Sequence, residues 1–213
     1  METKPAMHPY ADARLAVLLA TILWATGVAL AAAGGSLSRL PTAVIAALVV
    51  ATIAVAVSAV RWDARIREWL GGVDPRVFTA LNAWRLPAGL ALLAAGSQGL
   101  LPASFALTAG WGDIGVGVAA IALVAAKAGP RAHLAFQFLG LADFVVAVGT
   151  GLTHTVLGTP LMENVVALPI AFIPLVGVPL TAAVHVAAIA SLLKAPADRP
   201  PVASALAAPR ASR

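Results

Sequence analysis

Four ionisable side chains interrupt long apolar stretches of this chain and are its candidates for chemistry: Arg85, Asp113, Asp143 and His185. Carboxylates and imidazole rings can accept and release protons, and a guanidinium group binds carboxylates or anionic ligands through several donors. Ionisable residues inside membrane spans are costly and usually functional. If the apolar stretches cross a membrane, these four residues therefore predict a polar site within it.

The composition indicates a multi-span membrane protein. Of 213 residues, 61% are hydrophobic and 11% are charged, whereas a soluble domain has roughly 25% charged residues. The sequence has no cysteine, which excludes disulfides, thiolate chemistry, iron–sulfur clusters and cysteine-zinc sites.

Six apolar runs are long enough to cross a bilayer, which takes about 20 residues. They lie at 14–34, 41–60, 77–97, 104–126, 132–153 and 166–193, and breaks rich in turn residues separate them. The fold is therefore predicted to be all-α, with one six-helix transmembrane domain at 1–194. The Pro/Ala-rich segment 195–213 is predicted to be a disordered cytoplasmic tail.

The distribution of basic residues predicts the orientation. Twelve of the 14 Lys and Arg residues fall on the side of both termini, Arg39 falls on the other side, and Arg85 lies inside a span. Cytoplasmic loops hold most basic residues, so both termini are predicted to be cytoplasmic in a bacterial inner membrane. The net positive charge then reflects the membrane topology and does not indicate that the protein binds nucleic acid. An alternative for the first span is a cleaved signal peptide.

The four ionisable residues are predicted to lie at similar depth. With a rise of 1.5 Å per residue, each lies about 12–16 Å from one end of its span, near the middle of a core roughly 30 Å thick. Spans three to six are expected to form a bundle around them. Asn82, one turn from Arg85, and Gln137 are expected to extend the site, with Gln98 nearer the surface. Spans one and two are expected to form a wall facing lipid or a second copy of the chain.

Two local patterns each leave two interpretations open. The glycines around Asp113 can serve close helix packing or leave room for a ligand. Pro169, Pro174 and Pro179 can merely kink the last span, or break it as in transporter binding sites. An unperturbed histidine titrates near physiological pH, and the protonation of His185 is expected to respond to Asp113 or Asp143 if either lies close.

The tetrapeptide Gly110-Trp111-Gly112-Asp113 resembles the G-x-G-D motif of intramembrane aspartyl proteases such as presenilin, signal peptide peptidase and prepilin peptidase. That resemblance implies a catalytic dyad of Asp113 and Asp143, two carboxylates sharing one proton. The order of the two aspartates departs from the family, where the motif aspartate comes second. Arg85 at the same depth would also keep Asp113 ionised and oppose a shared proton.

A wider likeness covers about 80–185. The segments "WRLPAG", "QGLLPASFALTAGWGDIGVG" and "IPLVGVPLTAAVH" resemble a family of uncharacterised small bacterial multi-span proteins. The resemblance implies that Arg85, Asp113 and His185 belong together, and it implies no activity.

Three hypotheses follow for the function. The first is a non-enzymatic protein that recognises or transports a small solute or protons through the site. The second is an accessory or scaffold protein whose buried charges fix packing, and the third is the aspartyl protease. No cofactor or metal is predicted. A haem held by two histidines needs both at one depth, but His133 and His154 lie at opposite membrane ends, and no span holds a lysine for a retinal Schiff base.

Overall fold

The computed structural model describes residues 11–194, which form helices and turns with no strand. Six helical stretches are long and apolar enough to cross a membrane, which confirms the prediction of an all-α multi-span membrane protein. In chain order these spans are Asp12–Ala33, Thr42–Trp62, Pro75–Ser97, Ala103–Ala125, Pro130–Val156 and Ile173–Lys194. The tail predicted at 195–213 lies outside the described residues.

The described residues form eight α-helices, seven of which lie in the spans. They are α1 (Ala11–Ala33), α2 (Thr42–Trp62), α3 (Ala64–Gly71), α4 (Pro75–Leu81), α5 (Arg85–Ser97), α6 (Ala103–Ala125), α7 (Pro130–Val156) and α8 (Val178–Lys194). The third span consists of α4 and α5 joined by a 3₁₀ turn at Asn82–Trp84. The sixth begins with a π-helical turn at Ile173–Gly177 and continues as α8.

The second connection contains a helix, α3, where the sequence analysis expected an irregular break. Asp63 caps it by accepting hydrogen bonds from the backbone N–H groups of Arg65 at 2.9 Å and Ile66 at 3.3 Å. Such capping satisfies donors that have no partner within the first turn. Because these bonds favour the ionised carboxylate, with the Ile66 N–H the largest contributor, they lower the pKa of Asp63.

The sixth span begins later than predicted, at Ile173 rather than at residue 166. Val166 instead ends a 3₁₀ turn, Met162–Val166, in the preceding connection. Pro169 explains the difference, because the residue before a proline is driven away from helical backbone angles. Pro174 lies in the first positions of the π-helical turn, where a missing N–H is tolerated.

The irregular start of the sixth span is tied to α1. Pro179 has no N–H to donate to Leu175, the residue four positions earlier, so the Leu175 carbonyl is left without its helical partner. The indole Nε1–H of Trp24 donates to that carbonyl at 2.6 Å. A freed carbonyl at membrane depth must find such a partner, and Trp24 therefore fastens the peripheral α1 to the bundle.

Glycines set the close packing of α5 on α6. A Cβ on Gly89 would collide with the carbonyl oxygen of Gly110, and a Cβ on Gly117 would collide with the backbone of Leu86. Gly110 itself faces the Leu93 side chain at 2.8 Å from its Cβ position. Small residues allow membrane helices to approach this closely, so these glycines serve packing.

Helix α2 is part of the bundle, which corrects its assignment to an outer wall. Its main partner is α8, and it also contacts α7. Ile45 and Val49 are buried in the principal apolar core. Helix α1 is more peripheral and leaves large side chains such as Leu23 and Leu30 exposed, as expected for a surface that contacts lipid.

The orientation is a prediction that reporter fusions can test. Reporters fused after Arg67 and after Arg131 should read cytoplasmic, and reporters near Gly99 and Gly158 should read on the opposite side. The reason is the twelve-to-one distribution of basic residues between the two sides. A single fusion that reads on the wrong side would contradict the six-span topology.

Candidate functional site

Arg85 occupies the point where the third span changes from a 3₁₀ turn into an α-helix. The turn Asn82–Trp84 precedes it, and α5 begins at Arg85 itself. Its side chain is 2% exposed. The guanidinium group of Arg85 therefore lies inside the bundle, between α6 and α7, at the point where the helix type changes.

The guanidinium group of Arg85 links three spans. Its Nε donates to Asp113 Oδ1 on α6 at 2.6 Å, and its Nη2 donates to Asp143 Oδ2 on α7. Its Nη1 donates to the Gly140 carbonyl, also on α7, at 3.4 Å. The expected pairing of Arg85 with Asp113 is thus present, and Asp143 joins it. These three side chains are called the ion cluster below.

Two glycines make room for this arrangement. A Cβ on Gly112 would collide with the carboxylate of Asp143, and a Cβ on Gly140 would lie 2.5 Å from Cε1 of His185. The glycine next to Asp113 therefore lets the second carboxylate approach α6. Close packing at Gly112 is therefore what admits the second acid to the cluster.

His185 is fully buried at 0% exposure, but it does not pair with an acid. Its Nδ1 lies 2.6 Å from Oε1 of Gln137, while both carboxylates are bound to Arg85. The sequence analysis made the protonation of His185 depend on a carboxylate lying close, and the ring instead has a neutral amide partner. The physical reason is that the guanidinium group offers each carboxylate a charged donor, which bonds more strongly than a neutral one.

The hydrogen bonds continue from Gln137 through two residues that the sequence analysis did not select. Gln137 Nε2 donates to Thr79 Oγ1 at 3.3 Å, and Thr79 Oγ1 lies 2.7 Å from Nδ1 of His133. These three side chains and that of His185 are all buried. A signal for His133 existed in the sequence: residues 133, 137 and 140 follow i, i+4, i+7 spacing on one face of α7.

Asn82 lies near the ion cluster in sequence but does not join it. Its Nδ2 donates to the Phe78 carbonyl at 2.9 Å, and its Oδ1 has no partner among residues 11–194. The sequence analysis placed Asn82 and Arg85 on one face of a continuous helix. The 3₁₀ turn between them interrupts that helix. Gln98, expected nearer the surface, lies exposed at the end of α5.

A cavity of about 110 Å³ reaches the ion cluster from one side of the bundle. It is called the outer cavity below. Ser38 and Glu163, in the first and last connections between spans, lie at one end of its lining, and Arg85 and Asp113 lie at the other. Both connections are on the side opposite twelve of the 14 basic residues, the side that holds Arg39. Most of the remaining lining is apolar and comes from α2, α6, α7 and the start of the sixth span.

Comparison with known protein families matches residues 40–193 to a family described as a domain of unknown function (DUF8737). The matched range holds the second to sixth spans and every residue of the ion cluster. Comparisons with curated proteins and with solved structures find no match.

Proposed function

The chain belongs to the DUF8737 family, and we propose that its membrane spans bind a small species with one positive charge and pass it toward the bundle interior. That species is a proton or a small organic cation. One observation carries the proposal: the outer cavity reaches Arg85 and Asp113, which are buried, and the partly buried Asp143 adds a second acid to the same cluster.

The charges of the ion cluster do not balance. Arg85 contributes one positive charge, and Asp113 and Asp143 contribute two negative charges when neither carries a proton. Charges removed from water are tolerated only when they are compensated. His185, the nearest further titratable side chain, is hydrogen-bonded to the neutral Gln137. One additional positive charge is therefore the complement that this cluster lacks.

The carboxylate that faces the outer cavity is Asp113. It lines this cavity together with Arg85, whereas Asp143 is absent from the lining, although the Asp143 side chain is 22% exposed and that of Asp113 10%. A ligand that enters through the outer cavity therefore meets Asp113 first. A cavity needs about 10–15 Å³ of space open to a water-sized sphere to hold one water molecule. The 110 Å³ outer cavity thus has room for roughly seven to eleven water molecules, or for a solute of similar size.

The scaffold hypothesis is the second candidate and has its own observation. All three guanidinium nitrogens of Arg85 already have acceptors within the chain, so the cluster joins three spans without any ligand. The uncompensated carboxylate and the cavity that leads to it favour binding over this alternative. The protease hypothesis has less support, because Arg85 engages each carboxylate through a different nitrogen and opposes a proton shared between them.

The test uses Asp113→Asn, which neutralises the cluster while Arg85 keeps Asp143. Purified protein is titrated with methylammonium by calorimetry, and pyranine-loaded proteoliposomes report proton entry after external acidification. We expect the native protein to respond in one of the two assays, which also identifies the charge carrier. Asp113→Asn should weaken that response by about tenfold or more, the worth of a hydrogen bond to a charged group.

Glu68→Gln provides the matched control, since Glu68 is an exposed acid on α3. It removes one negative charge outside the cluster and should leave both responses unchanged. Melting temperatures in detergent establish that each variant is folded. If the native protein responds in neither assay, or Asp113→Asn responds fully, the proposal fails. If Asp113→Asn lowers the melting temperature and the native protein responds in neither assay, the scaffold hypothesis is favoured.

A further inference from the structure

The membrane-facing side of α6 and α7 carries a partly exposed acid. The Asp143 side chain is 22% exposed, yet it does not line the outer cavity. Leu139 and Val146, its neighbours one turn away on α7, are both exposed, so the open part of Asp143 faces outward from the bundle. These three residues and Trp111, which is exposed on α6, define what is called the α6–α7 surface below.

One oxygen of the Asp143 carboxylate has no donor within the described residues. Its Oδ2 accepts from Nη2 of Arg85, while its Oδ1 lies against Gly112, which has no side chain to donate. Unlike the unpartnered Oδ1 of Asn82, this atom is not enclosed by the chain. Lipid acyl chains offer no donor, and an acceptor that faces hydrocarbon without one is costly. The exposed oxygen of Asp143 therefore requires a donor from outside this copy of the chain.

Trp111 presents a donor on the same surface. It is 62% exposed, and its indole N–H has no acceptor among residues 11–194, whereas the indole N–H groups of Trp24 and Trp84 are both used within the chain. It lies about 12 Å from the N-terminal end of α6, although tryptophans of membrane proteins are enriched at the headgroup level. Because Trp111 is next to Gly112, which contacts Asp143, the donor and the acceptor lie at one depth.

We propose that the α6–α7 surface is the interface of a two-fold symmetric dimer, in which Trp111 of each copy donates its indole N–H to Asp143 Oδ1 of the other. The bond does not form within one copy, because Trp111 is turned about 100° around α6 from Gly112. Two copies inserted in the same orientation are related by an axis along the membrane normal, which leaves the depth of every residue unchanged. A donor and an acceptor at one depth therefore meet twice in the dimer, as an isologous interface requires.

In this dimer each copy completes the ion cluster of the other. An indole N–H supplies a hydrogen bond but no net charge, so the inference does not depend on the proposed binding of a cation. It also assigns the dimer contact to α6 and α7, whereas the sequence analysis considered the first two spans for this role.

Cross-linking tests the position of the interface, and the absence of cysteine from the chain removes any background. Thr108→Cys places a thiol on the exposed face of α6, one turn before Trp111. Leu23→Cys is the control, because Leu23 is exposed on α1. A short bis-maleimide in dilute proteoliposomes should link Thr108→Cys into dimers and leave Leu23→Cys monomeric. No dimer of Thr108→Cys, or equal cross-linking of both variants, would overturn the proposal.

Trp111→Phe tests the hydrogen bond, because it keeps an aromatic ring and removes the N–H. The dimer dissociation constant is measured in liposomes by energy transfer between copies labelled at Glu68→Cys on α3. Trp111→Phe should raise this constant by about tenfold, because each dimer loses two hydrogen bonds worth about threefold each inside a membrane. Trp62→Phe, at an exposed tryptophan of α2, should leave it unchanged. A monomeric native protein, or a Trp111→Phe dimer as tight as the native one, would overturn the proposal.

Asp143→Asn identifies the acceptor through a double-mutant cycle. It should weaken the native dimer, because a neutral amide oxygen accepts a weaker hydrogen bond than a carboxylate. In the Trp111→Phe background it should cause no further loss, because the donor is already absent. Additive losses from the two substitutions would show that Trp111 and Asp143 are not partners across the interface.

Discussion

Replacing Arg85 by leucine is expected to destabilise the bundle by about 3–5 kcal/mol, the usual cost of removing one partner from a buried ion pair. The substitution leaves Asp113 and Asp143 facing each other without the cation that both contact. The free energy of unfolding in mixed micelles measures the loss. This is the largest effect expected of a single substitution in the site, because Arg85 is the common partner of both acids.

Further substitutions identify the cause of that loss. Arg85→Leu combined with Asp113→Leu and Asp143→Leu should be less destabilising than Arg85→Leu alone, because no uncompensated charge remains. Arg65→Leu is the control, since Arg65 forms an exposed ion pair with Asp63 at 3.5 Å that is worth about 1 kcal/mol or less. If the losses in the triple variant simply add, the three residues are not energetic partners.

Replacing Gly89 by alanine is expected to destabilise the protein by about 1–3 kcal/mol through overpacking. The new Cβ would meet the Gly110 carbonyl, which is backbone, together with Ile114. Because a backbone atom cannot rotate away as a side chain can, α5 and α6 must separate. This separation also disturbs the ion cluster, since Arg85 lies on α5 and Asp113 on α6.

Gly115→Ala is the matched control for Gly89→Ala. Gly115 is also a helical glycine, on α6, but a Cβ there meets nothing within 4 Å among the described residues. Alanine favours helix over glycine by up to about 1 kcal/mol, so this variant should be as stable as the native protein or more so. Equal losses in the two variants, measured by unfolding in mixed micelles, would contradict the packing explanation.

Much of the fold was predictable because the bilayer imposes strong local rules. Helical spans must satisfy their own backbone and need about 20 apolar residues, so the six spans could be read from the sequence. The exceptions are short-range features that depend on specific residues. Asp63 caps α3 within a connection, and Pro169 delays the start of the sixth span, although both residues were visible in the sequence.

The candidate site was only partly predictable. Depth along each span follows from counting residues, and in the structure Arg85 contacts Asp113 and Asp143 while His185 lies beside Gly140. Rotation of each helix does not follow from counting. It is decided by close packing, including the glycine contacts that admit the Asp143 carboxylate and the His185 ring.

The sequence by itself therefore determined the membrane class, the number of spans and the four ionisable residues that lie farthest from the ends of the spans, because these depend on composition and on distance along one helix. Only the tertiary structure decided that Arg85 binds both acids, that His185 binds Gln137, and that Asn82 keeps an unpartnered oxygen. The outer cavity that reaches the ion cluster also depends on it. Each of these features joins residues from different spans, and their relative rotation and spacing are set by packing of the whole bundle rather than by any local pattern.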